Sequence, residues 1–149
     1  MAEKTFEDEF MEIQTGWISA CLEALGKITV NKICCYASLE GWTYTADVFF
    51  VVGGNAVKKH DIGISKATEF ALLDVLVDDT LKIDEVCQVY SQPCPTEIKM
   101  VFDTSDSSLD IKYRYEPITD RDPYSERSMD AEFEEWFAEI QQSLEPVAK

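Results

Sequence analysis

The chain offers chemistry one histidine, five cysteines and 29 carboxylates. His60 stands beside Lys58, Lys59 and Asp61. A histidine general base needs a nucleophile to activate and a third group to orient it. No residue near His60 supplies either role, so it reads as a surface or turn residue without catalysis. An odd number of cysteines, with Cys34 and Cys35 adjacent, is not a disulfide framework. Six residues separate Cys87 from Cys94, which is no zinc-knuckle spacing. No cysteine stands in a recognisable electropositive, helix-N-terminal setting that would activate a thiolate, so five reduced thiols packing as small apolar groups are expected.

Carboxylates are dense enough to pair by chance. Asp78 and Asp79, on a helix, point in different directions. Asp103, Asp106 and Asp110 bracket a turn but lack the alternating D-x-D-x-D-G pattern and closing Glu of a calcium loop. Nucleophile-elbow, zincin, Walker and dinucleotide motifs are missing from the sequence. Gly53-Gly54 reads as a turn and not as a phosphate cradle. No cofactor, no metal and no enzymatic activity are expected.

What remains is charge. Against 29 acids stand 13 Lys and Arg, for a formal net charge of −16. Such a field repels phosphate backbones and anionic membranes and favours a basic protein partner. Acidity also serves solubility alone. Between Asp120 and Glu145 nine carboxylates stand against Arg121 and Arg127. A solvated helix face explains this density. So does a docking surface for a cationic protein, with Tyr113, Tyr115 and Tyr124 as neighbouring aromatic anchors.

A chain of 149 residues fits one domain, taken as 1–149, and can build a core without metals or disulfides. Its 46% hydrophobic share excludes disorder throughout. No run of 18 apolar residues suggests a membrane span. The opening MAEKTFEDEF has neither the basic nor the apolar region of a secretory signal, so a cytoplasmic location is expected.

The elements follow from periodicity. Phe6, Phe10, Ile13, Trp17, Cys21 and Leu25 recur at helical spacing and predict a helix over Thr5–Leu25, closed by Gly26. Strands are predicted over Asn31–Leu39 and Thr43–Val52. Gly53-Gly54-Asn55 turns into a short third strand, Ala56–Ile62, which carries His60. A helix from Ser65 to about Val89 is expected to point Phe70, Leu73, Leu76, Val77, Leu81 and Val86 inward and to be the best buried of three. Gln92-Pro93-Cys94-Pro95 ends it. Thr96–Asp103 and Leu109–Glu116 form a hairpin about the polar TSDSS turn, and Pro117–Glu126 is a loop. A final helix over Ser128–Leu144 buries Phe133, Trp136, Phe137, Ile140 and Leu144, with Glu132, Glu135 and Glu139 on the opposite side. The fold class is α+β. A single antiparallel sheet of about five strands with three helices is expected, in the order α-β-β-β-α-β-β-α.

The stretch PTEIKMVFDTSDSSLDIKYRYEP, the acidic loop after it and DAEFEEWFAEI resemble the YezG-like immunity proteins, antitoxins encoded beside secreted bacterial polymorphic toxins. The helix, meander and long helix that precede them are similar too. The resemblance implies a protein that neutralises a toxin in the producing cell, as in contact-dependent inhibition. Such toxins are often nucleases with basic surfaces. The expected partner-binding residues are Asp120, Asp122, Tyr124, Glu126, Asp130, Glu132, Glu135 and Glu139. Reversing Glu132, Glu135 and Glu139 to Lys is expected to slow association and leave the fold intact. The alternative from another class is an acidic cytosolic secretion chaperone of the type III kind, which dimerises and wraps an effector segment.

Overall fold

Helix α1, Phe6–Leu25, begins at a reciprocal capping box. The Thr5 hydroxyl accepts from the Asp8 amide and the Asp8 carboxylate accepts from the Thr5 amide, both at 3.2 Å. Glu7, Asp8 and Glu9 then occupy its first turn, at the positive end of the helix dipole. Gly26 closes the helix with φ of 59°, a conformation a side chain would strain. The computed structural model describes residues 5–39, 44–116 and 129–144.

The strands are β1 (Lys32–Ser38), β2 (Thr45–Val52), β3 (Asn55–Lys58), β4 (Glu97–Asp103) and β5 (Ser108–Arg114). All pairings are antiparallel, in the order β3-β2-β1-β4-β5. Helix α2, Lys66–Val89, starts at Ser65, whose hydroxyl accepts from the Thr68 amide at 3.1 Å. Helix α3 runs Met129–Leu144. The observed order of elements is the expected one, and the fold is α+β.

The predicted third strand is the first correction. β3 stops at Lys58, and Lys59, His60 and Asp61 form a 3-10 turn. β3 pairs only with Phe49–Val52, the end of β2 nearest the hairpin. Beyond that, Lys59 leaves the ladder and ion-pairs with Asp47 at 2.9 Å. His60 is therefore an exposed turn residue beside Asp61.

Side-chain alternation divides the sheet between two cores. Ile33, Cys35, Val48, Phe50, Ile98 and Met100 face α1 and α2, where Trp17, Cys21, Leu72, Leu76 and Ile83 meet them. Cys34, Tyr36, Phe49 and Val51 face the other way and meet Phe133 and Trp136 of α3. The adjacent Cys34 and Cys35 thus enter different cores. All five cysteines are free thiols, and Cys21 and Cys35 face each other at 3.8 Å between α1 and β1. Burial pushes the Cys34 thiol up to about 12 and raises Cys94 well beyond the ordinary range, so neither is an activated nucleophile.

Helix α2 is the second correction. Its buried residues are Leu72, Leu76, Thr80, Ile83 and Cys87. Phe70 is 64% exposed and Leu81 38%, so neither points inward as expected, and Val77 is only half-buried. Thr80 replaces an apolar residue in the buried row because its hydroxyl donates to the Leu76 carbonyl at 2.7 Å. α2 therefore buries one row and leaves large apolar side chains outside.

Candidate partner-binding surface

The final helix is fixed by an aromatic cluster. Phe49 of β2 meets Trp136 at 4.9 Å, Phe137 at 5.1 Å and Phe133 at 5.8 Å between ring centroids, all edge-on. Tyr36 of β1 adds edge contact with Phe133. Two polar ties orient the helix on the β3 edge. Lys58 Nζ reaches both Glu134 carboxylate oxygens at 2.6 Å, and the Ala56 amide donates to Gln141 Oε1 at 2.7 Å.

Of the residues expected to bind a partner, Asp120, Asp122, Tyr124 and Glu126 lie outside the described residues. Asp130 falls within α3, but its side chain also lies outside the description. Glu135 and Glu139 are on the exposed face of α3. Glu132 is not. It is only 8% exposed, near Tyr36, and its charge helps hold the Tyr36 hydroxyl in its neutral form.

That hydroxyl donates to buried Glu97 at 2.7 Å. Burial first, and this bond second, push its pKa far above the ordinary range. Lys99 stands 3.6 Å from Glu97 and 6.0 Å from the centre of the Trp136 ring. Glu132 thus belongs to a polar seam beneath α3. Glu132→Lys is expected to cost more than about 2 kcal/mol of stability, because it puts a cation where a carboxylate is built in. Glu135→Lys with Glu139→Lys should change stability by no more than about 0.5 kcal/mol. Urea denaturation of the two variants checks the contrast and corrects the expectation that all three positions share one solvated face.

The anchors move as well. Tyr113 lies on the α1 side of the sheet, half-buried, and donates to Gln14 at 2.9 Å. Tyr115 lies near Cys87 and Cys94, at the end of α2. Neither supports the acidic face of α3.

The feature that sequence reading missed is on the opposite layer. Helices α1 and α2 together carry eleven carboxylates and two lysines. The five strands between the layers are nearly neutral, with five basic and four acidic residues. Among the described residues, the exposed large hydrophobics are Leu22, Phe70, Val75, Leu81, Val89 and Tyr115. Five stand on α1 and α2, the sixth is at the α2 end, and none is among the described side chains of α3. Acid and exposed apolar surface therefore coincide on one layer. The signal was present in FALLDVLV, which is apolar around most of its circumference although a helix lying on a sheet buries only one side.

Other groups are explained locally. Asp103 accepts from the Ser105 amide and hydroxyl, which lower its carboxyl below the ordinary range. Asp106 accepts from the Ser108 amide. Among the described residues, no cluster of three His, Cys, Asp or Glu side chains could hold a metal ion, and no helix is long and apolar enough to cross a membrane. The chain matches no family model and no curated protein.

Proposed function

We propose that the chain is an immunity protein that acts in the cytoplasm, binding and neutralising a cognate secreted toxin of basic character without chemistry of its own. One observation carries the reading: among the described residues, the helix layer with the larger number of carboxylates, eleven on α1 and α2, is also the layer with exposed large apolar side chains. Carboxylates alone suit solubility. Exposed apolar residues bring no solubility, and in a protein–protein contact they supply the anchors that hold a complex after charge has steered it. The raised thiols of Cys34, Cys35, Cys87 and Cys94 and the turn position of His60 agree with a binding role.

A direct test is deletion of its gene in the native host, followed by co-culture with the unmodified parent. The deletion strain should lose viability on contact with its parent, and expression of the chain in trans should restore it. Survival of the deletion strain while the parent delivers toxin would contradict the reading.

The exposed apolar residues of α2 also favour the secretion chaperone as a second reading, because a chaperone presents apolar grooves and works as an obligate dimer. Light scattering on the purified chain separates the two. A dimer that persists on dilution supports the chaperone, and a monomer supports the immunity protein.

A further inference from the structure

The crevice between α1 and α2 opens into a groove of about 360 Å³ lined by Ala20, Glu23 and Ala24 of α1 and by Thr68, Ala71, Leu72 and Val75 of α2. Val75 is 43% exposed beside it. We propose that this groove docks a basic amphipathic helix of the partner protein, an inference that rests on the binding role above and places it on α1 and α2.

Three observations select that occupant. Three alanines form the groove walls, Ala20 with Ala24 at i, i+4 spacing on α1 and Ala71 on α2, and leave a furrow beside the exposed Val75. A third helix fills such a furrow with side chains at the same spacing. The rim is acidic. Glu23 lines the groove, and exposed Asp74 and Asp78 flank Val75 along α2. Farther along the crevice, an Asp79 carboxylate oxygen lies 3.9 Å from where a Cβ on Gly16 would stand. Like charges disfavour the simplest alternative at this groove. A second copy of this chain would bring helices with eleven carboxylates and two lysines of their own against an already acidic rim. A ligand with apolar groups on one face and Lys or Arg at the margins satisfies both the groove and the rim.

The test uses the full chain and a fluorescent synthetic Leu/Lys peptide patterned as an amphipathic helix. A scrambled peptide of the same composition is the control. Anisotropy is read at low and high salt. The patterned peptide should bind at least about tenfold more tightly than the scrambled one, and salt should weaken it. The combined variant Glu23→Lys, Asp74→Lys and Asp78→Lys should weaken it at least about tenfold. Ala71→Trp, which fills the groove without changing charge, should also weaken it. Glu135→Lys with Glu139→Lys should not. Equal binding of both peptides, no binding of the patterned peptide, or equal losses from the α3 and groove variants would overturn the proposal.

Applied to a co-purified basic partner, the same variants separate the groove from the function. A partner that survives the groove substitutions removes the groove and leaves the immunity role. Groove-specific peptide binding with a harmless gene deletion removes the immunity role and leaves the groove.

Discussion

Trp17→Ala is expected to destabilise the whole fold by about 3–5 kcal/mol. Trp17 is 1% exposed, at the centre of the core that α1 and α2 share with the sheet. Its removal leaves a void between elements that are already fixed by long-range strand pairing and cannot collapse into it cheaply. Domains of this kind are stable by only about 5–15 kcal/mol, so the loss is a large share of the total. Urea denaturation should show a lower midpoint with an unchanged slope. Trp17→Phe should cost clearly less. It keeps most of the ring, and it removes a buried indole N–H that has no acceptor among the described residues. A cost for Trp17→Ala below about 1 kcal/mol would mean that the position is not core.

Trp136→Ala should produce a loss of similar size, about 3–5 kcal/mol, but local in character. Trp136 packs against Phe49 and Tyr36 in the separate core beneath α3. That core is small, and its helix is held otherwise by Phe133, Phe137 and two polar ties to the β3 edge. Hydrogen exchange should show α3 amides losing protection while α1 amides keep theirs. Uniform loss across both helices would mean that the two cores fold as one unit, contrary to the division made by the strand alternation.

The elements were legible because their patterns are strong. The α1 stripe from Phe10 to Leu25, the alternation of β5 and the α3 stripe from Phe133 to Leu144 each fit one period and one buried side. The register of Cys34 and Cys35 followed from period two alone. Phase was harder in α2. Ala71-Leu72-Leu73 admits several inward faces, and the true one is set by Ile83, Cys87 and a polar Thr80 that satisfies itself on its own helix. Hydrophobicity therefore assigned Phe70 and Leu81 to the core although both stay outside.

The surface was less legible for a related reason. A carboxylate reads as solvated whether it is Glu135, which is exposed, or Glu132, which is buried. Net charge states how much acid there is but not which layer also carries apolar side chains. That coincidence depends on packing α2 against α1 and the sheet, so it appears only in three dimensions. It moves the centre of the proposed interface from the final helix to the first two.

The most direct measurement is affinity capture with the tagged full chain from its native host, at low and high salt, with partners identified by mass spectrometry. A basic protein at equal stoichiometry is predicted, weakened by salt and lost from the Glu23→Lys, Asp74→Lys, Asp78→Lys variant but retained by Glu135→Lys, Glu139→Lys. A stoichiometric partner that is acidic or neutral, held equally at both salts and by both variants, would contradict a cationic partner docked on α1 and α2.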